Sequence, residues 1–475
     1  MSRECVFLVV GGGIAGVSCA ESLAICQPSA SILLLTESSI VKSVTNLVPI
    51  ARYLHKFDVR EQNVSEMGAS VGTLVDQLEH IDSSGHWVRT KKGVVIRYRY
   101  LCLCTGGAPK LFSSAPDESR IIGIRDTDSV LELQRRLAKA KDVMILGNGG
   151  IASELAYELK NVYVHWVVKD SHISATFVDP GAAEFFQLAR KEVKDKGSVP
   201  KTAIKRMRYD ELLPKELDNR HGAALGPDWH RTYDLSGAAE TSEDKSLPKI
   251  YYKSHIQEYH ELEPGTGGGL SIMLGHEDGS SERLTCDFIV SATGVQPRHE
   301  YTSDAAIKFS EDGGISVDEM MRTNLPDVYA AGDVCTSAWS PAPHWFQMRL
   351  WTQARQMGSM AGRSMAAASE EETVYQDFCF ELFGHVTQLF GYPVVLLGRF
   401  NGQDLGQDYE ILVRCTPNKE YIKFVLQNGR LRGAILIGDT DLAETCENLI
   451  LNGIDLEPFG DDILNPDIDI EDYFD

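Results

Sequence analysis

The chain has 475 residues, which at about 150 residues per domain leaves room for roughly three domains. Its 46 basic and 68 acidic residues give a net charge of -22, a field that repels polyanions and argues against nucleic acid or anionic membrane as partners. A 43% hydrophobic content beside 24% charged residues excludes wholesale disorder, and no apolar run approaches the roughly 18–20 residues that span a bilayer.

A continuous apolar run, residues 5–10, opens the chain and predicts a strand buried on both faces. It begins too early to leave room for a leader, so a cytoplasmic and nuclear protein is expected. Gly11-Gly12-Gly13-Ile14-Ala15-Gly16 follows, then an apolar-periodic helix to about residue 25 and a second strand over residues 32–35. This is a βαβ unit carrying Gly-x-Gly-x-x-Gly between strand and helix, the pattern of a dinucleotide site. Gly11 permits the tight turn, Gly13 lets backbone approach a pyrophosphate, and Gly16 lets helix and strand close up. Glu37, 21 residues after Gly16, ends the second strand, where a carboxylate accepts from ribose hydroxyls.

An apolar strand over residues 101–104 runs into Thr105-Gly106-Gly107-Ala108-Pro109. A second βαβ unit starts at residue 142, its turn Gly147-Asn148-Gly149-Gly150-Ile151-Ala152 placed 136 residues after the first. Its second strand ends at Lys169-Asp170. An acid there favours NAD and a cation favours the 2′-phosphate of NADP, so the adjacent pair leaves the choice open. Residues 191–250 hold 12 basic and 11 acidic residues with weak apolar periodicity and read as a partly disordered surface insertion, ordered best near residues 222–229. A second strand with the same ending, Thr293-Gly294-Val295-Gln296-Pro297, closes the second unit, and residues 323–333 end in Gly332-Asp333.

After residue 372 the pattern changes to an α/β module, with strands at 394–400, 409–415, 421–427 and 431–437 and a hairpin turn at Asn428-Gly429. A helix follows, with Asp441 as its expected cap and Glu444 three residues on. The last 21 residues, 455–475, carry nine acids and no Lys or Arg, either a solvated tail or, given the interleaved Ile463, Leu464, Ile468, Ile470, Tyr473 and Phe474, a docking peptide. The ten cysteines form no Cys-x-x-Cys and no zinc-ligand spacing, so no metal site is expected. Cys102 and Cys104 share a strand face at the far limit for a bridge and read as reduced core thiols.

These segments resemble the pyridine nucleotide-disulfide oxidoreductase family of two-dinucleotide-binding flavoproteins over residues 5 to about 365. The resemblance implies an α/β fold with two doubly wound Rossmann-type dinucleotide-binding domains plus a C-terminal α/β module. The expected layout is an FAD-binding domain in two parts (1–115 and 291–370), an NAD(P)H-binding domain (116–290) with its insertion, the module at 375–455, and the acidic tail 456–475. It implies FAD on the first fingerprint and NAD(P)H as substrate on the second, with Asp333 on a ribityl hydroxyl. Residues 344–355, which include Trp345 and Trp351, look like the helix whose N-terminus faces the flavin pyrimidine. Cofactor contacts are further implied at Ile14, Ala15, Thr105, Gly106, Gly147, Gly149, Gly150, Ile151, Thr293, Gly294 and Gly332. Glu154 matches the family's glutamate beside the nicotinamide, and Lys42 is the candidate for its lysine partner at the flavin, against a plain solvated lysine. Cys335 reads as a core thiol rather than a flavin neighbour. His344 is a candidate donor to a flavin carbonyl.

The chain departs from the family where its redox cysteines stand. Residues 38–49 contain no thiol, so a relay from flavin to a disulfide has no wire. A closer resemblance within the family rests on the Gly-Asn-Gly-Gly-Ile-Ala turn, the Gly-Pro-Asp-Trp insertion, residues 348–358 and the ending 467–475. It implies an FAD protein that oxidises NAD(P)H without the dithiol and a link to the tRNA-splicing ligase complex, protecting that ligase from oxidative inactivation. Three function classes follow. One is a flavoenzyme passing electrons to oxygen or a small acceptor. Another is a binding protein whose partner interface is gated by the flavin's redox state. The third, a reductase of a partner's disulfide, is disfavoured by the missing thiols.

Overall fold

The computed structural model describes residues 2–112, 120–191, 203–208, 234–239, 247–262, 269–374 and 379–467. Six α-helices form among them: α1 Ile14–Cys26, α2 Thr127–Leu137, α3 Gly150–Glu158, α4 Pro180–Lys191, α5 Trp351–Ser369 and α6 Ala443–Asn452. The chain divides into two compact units, each assembled from separate stretches. Unit 1 comprises Met1–Pro49, His55–Ala108 and Val295–Leu382. Unit 2 comprises Ile50–Leu54, Pro109–Gly294 and Phe383–Asp475. The boundaries expected near residues 115 and 290 thus fall inside the two Thr-Gly-x-x-Pro segments. The C-terminal module clusters with the stretch that carries the second glycine turn.

Unit 1 is built on a parallel sheet in which Ser2–Val10 lies between Ile32–Thr36 and Val95–Leu103, with Val71–Val75 beyond one and Val328–Ala330 beside the other. Phe7, Leu8 and Val9 are wholly buried, as a strand covered on both faces requires. Helix α1 is apolar around much of its girth because it is sandwiched between the sheet and α5. The two helices approach at glycines: a Cβ on Gly358 would overlap the Ala15 carbonyl oxygen, and one on Gly362 would come within 2.6 Å of the Cys19 oxygen. Ser22 Oγ meets Ser359 Oγ at 2.9 Å, and Gln27 Nε2 donates to Glu370 Oε1 at 2.6 Å. Contacts advance along both helices together, so α1 and α5 run parallel with their N-termini at the same end. A hairpin of Ile40–Pro49 and His55–Asn63 covers that end, packing Phe57 with Ile14 and Trp351.

Unit 2 has a five-stranded parallel sheet ordered Ile121–Gly123, Phe288–Ser291, Asp142–Leu146, Tyr163–Val167, Lys249–Tyr251. An antiparallel three-stranded sheet, Ser254–Glu261, Leu270–His276 and Ser281–Cys286, joins it. The C-terminal sheet is six-stranded and antiparallel: Ala203–Arg208, Glu410–Thr416, Glu420–Gln427, Arg430–Ile437, Tyr392–Gly398, Gly384–Leu389. Asn428 and Gly429 adopt φ of 53° and 69°, the positive values a two-residue hairpin needs.

Three expectations change. Within 191–250, Ala203–Arg208 is the edge strand of the C-terminal sheet and Lys249–Tyr251 belongs to the parallel sheet, so these stretches are sheet rather than loop. Residues 222–229 lie outside the described residues. Asp441 does not cap α6: Leu442 stands at the cap without a side-chain bond, while Asp439 Oδ1 accepts from the Asp441 N–H at 3.1 Å. In the tail, Glu457–Leu464 forms a short 3-10 segment that buries Ile463 and Leu464, and Arg414 Nη1 donates to the Leu464 carbonyl at 3.3 Å. Those two apolar residues serve packing, which leaves the docking reading to residues 468–475, outside the described residues.

The α1–α5 contact gives the first prediction. Gly358→Val places a branched side chain against the Ala15 carbonyl, and thermal or urea unfolding should show a loss of at least about 1–3 kcal/mol, the usual cost of overpacking.

Candidate functional site

In unit 1 the glycine loop follows the first strand directly. Gly11 has φ of 124°, and a Cβ there would overlap the Cys104 carbonyl oxygen of the strand that ends in Thr105-Gly106. A Cβ on Gly16 would overlap the Gly11 oxygen. Gly13 differs: it caps α1 with φ of -78°, and a Cβ built on it meets nothing within 4 Å. The middle glycine therefore borders open space at a helix N-terminus, where unpaired N–H groups and the positive dipole end suit a pyrophosphate. Residues Ile14 and Ala15 form the first turn.

Gly332, with φ of 81°, brings Asp333 to the same end: a Cβ on Gly332 would lie 2.7 Å from Ala15 Cβ and 3.8 Å from Ala354 Cβ. The turn is held by Arg349, which is 4% exposed. Its Nε donates to the Asp333 carbonyl at 3.0 Å, and Nη2 donates to Asp312 Oδ2 at 2.6 Å and Thr336 Oγ1 at 3.2 Å. Burial lifts the Asp312 carboxyl, but the Arg349 guanidinium outweighs it and holds the pKa below the ordinary carboxylate value. Helix α5 starts at Trp351; residues 344–350 are its non-helical lead, tied down by Gln353, which accepts from the Met348 N–H at 2.7 Å and donates to the Phe346 carbonyl at 2.8 Å. Trp351 packs at the helix N-terminus. Trp345 is 1% exposed, stacks with Trp339 at 5.4 Å and meets Phe380 edge-on at 5.3 Å, so its side chain serves the core instead of lining an open site. His344, half-buried, forms a bridge with Leu382.

Glu37 follows the second strand and pairs with Arg298, Nη1 to Oε2 at 2.9 Å. Arg298 stands directly after the second Thr-Gly-x-x-Pro segment, its N–H on the Gly106 carbonyl at 2.9 Å and its own carbonyl accepting from Thr105 Oγ1 at 2.5 Å. Lys42 lies on the covering hairpin, which is fastened to the glycine loop by the Lys42 N–H on the Gly12 carbonyl at 2.9 Å. Its Nζ lies 4.0 Å from Glu61 Oε1. The unit thus gathers Gly11, Gly13, Ile14, Ala15, Gly16, Glu37, Thr105, Gly106, Asp333 and Trp351 around one end of α1 and α5, with Lys42 above them.

The buried thiols of Cys5, Cys102 and Cys335 in this unit are poor nucleophiles. Burial pushes the Cys5 thiol up to about 12 and raises Cys335, which is wholly buried and points its Sγ at the Gly332 carbonyl. Cys102 lies 3.5 Å from Cys104, sulfur to sulfur, and that hydrogen bond together with burial raises its pKa well above the ordinary thiol value. No disulfide joins any of the ten cysteines. Exposed Cys26 ends α1, about 18 Å from the loop at 1.5 Å per residue. Among the described residues no His, Cys, Asp and Glu cluster could hold a metal.

Unit 2 repeats the loop. Gly147 has φ of 131°, and a Cβ there would overlap the carbonyl oxygen of Ala292, the residue before Thr293-Gly294. Gly149 borders open space, its nearest neighbour Thr176 Oγ1 at 4.0 Å. Gly150 and Ile151 begin α3. The two loops therefore share one construction, the first glycine pressed on a Thr-Gly strand and the middle one open. Thr293 Oγ1 donates to the Lys110 carbonyl at 3.0 Å, and the Lys110 N–H donates to the Gly294 carbonyl at 2.9 Å. Asn148 Nδ2 donates to Asp170 Oδ2 at 2.7 Å and to the His172 carbonyl at 2.9 Å, while its Oδ1 accepts from the Ser174 N–H at 2.6 Å. Val10 pairs with Leu35 and Leu146 with Val167, so exposed Lys169 occupies the register position of Glu37, with Asp170 one residue on. Glu154, half-buried on α3, lines a cavity of about 410 Å³ with Tyr157, Glu158, Lys160, residues 234–236, Gln388, Phe390 and Gly391.

Arg298, Arg349 and Asn148 were not among the candidates read from sequence. Asn148 is the middle residue of Gly147-x-Gly149 and Arg298 directly follows a motif, so both positions carry a local signal. Arg349 carries none.

The two matching loops, each with its own Thr-Gly strand, define a protein of two dinucleotide units. Residues 6–205 and 256–358 match the pyridine nucleotide-disulphide oxidoreductase family, and the chain belongs to it. Residues 387–454 match the rubredoxin NAD+ reductase C-terminal domain. The chain is 78% identical, over its whole length and the whole of the relative, to the pyridine nucleotide-disulfide oxidoreductase domain-containing protein 1 of Drosophila melanogaster. It is 46% identical to the Homo sapiens protein of that name, over 99% of this chain and 98% of the other. Among solved structures it is similar to the NADH:rubredoxin oxidoreductase of Clostridium acetobutylicum, with a TM-score of 0.59 at 17% identity over 98% of this chain and 100% of that one. It is also similar to the water-forming NADH oxidase of Lactobacillus brevis, at 0.62 and 14% over 94% and 91%. At such identities the likeness is one of fold. The chain is an NAD(P)H-dependent flavin oxidoreductase.

Gly13→Val separates fold from site. The backbone angle tolerates a side chain and nothing is crowded, yet the new atoms fill the cradle. The purified variant should keep the wild-type melting temperature of the apoprotein and lack the yellow flavin absorbance; full flavin content would place the cofactor elsewhere.

Proposed function

We propose that the protein holds one FAD non-covalently in unit 1 and oxidises NAD(P)H directly, without a redox-active cysteine pair, passing the electrons to oxygen or a small acceptor. When bound, the flavin supplies the hydride acceptor and the route to one- or two-electron acceptors. The observation that carries the reading is the hairpin Ile40–Asn63. It occupies the stretch after the ribose acid, contains no sulfur, and covers the joint end of α1 and α5.

The chain's own groups then have separate tasks. The α1 N-terminus and the open face of Gly13 receive the pyrophosphate, Asp333 takes a ribityl hydroxyl, and the α5 N-terminus offers its positive dipole end to charge building on the pyrimidine. Lys42 supplies a cation near the reacting ring, and Glu154 orients the nicotinamide. With Lys169 in the Glu37 position and Asp170 beside it, both NADH and NADPH are proposed as donors. As a further part of this proposal, resting on the resemblance drawn from the sequence motifs, the protein is cytoplasmic and nuclear, works beside the tRNA-splicing ligase complex and shields it from oxidation. Capture of that complex on the immobilised protein, with and without NADPH, checks it.

Rapid mixing with NADH or NADPH tests the chemistry. Flavin bleaching should proceed within about twofold of the untreated rate after alkylation of accessible thiols and in Cys335→Ala, whereas Glu154→Ala should slow it by about ten- to a thousandfold, the range for a lost positioning and electrostatic group. Arrest by alkylation with FAD still bound would put a cysteine in the electron path. A single reduction with no turnover in air would favour the redox-gated binding protein.

A further inference from the structure

We infer that Arg298 is a positioning residue for the adenosine ribose of FAD, acting through Glu37; the inference rests on the reading that unit 1 holds FAD. Glu37 is 46% exposed at a strand end, and a glutamate there sweeps several rotamers unless something holds it. Arg298 does so through one carboxylate oxygen, Nη1 to Oε2 at 2.9 Å, which leaves Oε1 to accept a ribose hydroxyl.

The guanidinium is itself anchored. Its backbone is clamped on both sides by Thr105 and Gly106, and Nη2 donates to Glu300 Oε2 at 3.2 Å, an oxygen that Gln77 Nε2 approaches at 3.5 Å. The chain thus fixes the ribose acid from the Thr-Gly segments, the same segments whose strand crowds Gly11. The pair also serves charge. A lone carboxylate beside a doubly charged pyrophosphate repels it, and a cation on the far oxygen offsets that repulsion without occupying the near one. Burial draws the Arg298 guanidinium's pKa down, but Glu300 and Glu37 outweigh it, so the cation persists.

The experiment titrates apoprotein with FAD and with an FAD analogue whose adenosine lacks the 2′- and 3′-hydroxyls, following flavin fluorescence quenching. Arg298→Gln should bind FAD about tenfold more weakly than wild type, the size of a lost charge-assisted hydrogen bond. Against the analogue, the same substitution should cost no more than about twofold, because the group being aimed has nothing to meet. Glu37→Gln should show the same dependence on the hydroxyls. If Arg298→Gln does not fold, Arg298→Lys carries the test, with a smaller loss for FAD that again vanishes for the analogue. Equal losses for both flavins would make Arg298 merely structural, and unchanged or tighter FAD binding would show that the ion pair idles or competes with the ribose; each result overturns the inference. Wild-type apoprotein that takes up neither flavin would instead overturn the FAD reading, and this inference with it.

Discussion

The close approach of two parallel helices is the constraint on which the rest of unit 1 depends. Ordinary helix pairs keep 8–10 Å between axes. Here Gly358 and Gly362 let the backbone of α5 rest on the Ala15 and Cys19 carbonyls of α1. Because the helices are parallel, this contact brings two positive dipole ends to one place. Gly332 fits between them only because it too lacks a side chain. The open glycine cradle at the start of α1, the placing of Asp333 and the start of α5 at the same end are then consequences of one packing decision. They are coupled mechanically as well: α5 cannot slide without moving the turn that carries Asp333.

A second layer of the design is electrostatic. Arg349 is buried among polar partners, and a buried cation of this kind is tolerable only when its hydrogen bonds are met, as Asp312, Thr336 and the Asp333 carbonyl meet them. Unit 2 holds a comparable pair: Lys423, 1% exposed, lies 2.8 Å from Asp179, which also accepts from the Ala182 N–H at the start of α4. Burial raises the Asp179 pKa, but Lys423 outweighs it and holds the carboxyl below its ordinary value. The thiols follow the opposite rule. Burial raises the Cys5, Cys286 and Cys335 thiols and outweighs the Arg120 guanidinium near Cys286 and the Arg349 guanidinium near Cys335, so these cysteines stay protonated at neutral pH.

Much of this was legible in the chain. Both glycine loops, their strands and the Thr-Gly segments have local signatures, and the apolar runs of the C-terminal sheet lie within about two residues of the strands observed. What could not be read depends on partners distant in sequence. The hairpin Ile40–Asn63 hides because only one face of it is apolar, and intermittently so. Ala203–Arg208 has the charged composition of a loop and becomes a strand because Glu410–Thr416 offers an edge. Arg298 and Arg349 find Glu37 and Asp312 across more than 30 positions, and no periodicity encodes such a meeting. The Asp441 cap failed for a local reason: Leu442 takes the cap position, and the Asp441 N–H turns to Asp439.

The edge strand Ala203–Arg208 also sets the order in which the molecule can be made. Its sheet partner among the described residues, Glu410–Thr416, lies about 200 residues downstream. At a ribosomal rate of about 5–20 residues per second, the strand waits roughly 10–40 seconds with its backbone unpaired. An unpaired strand is a template for pairing with other chains. Newly synthesised protein therefore passes through an interval in which it is open to aggregation and to chaperone capture, and this interval lengthens whenever translation slows between these two strands.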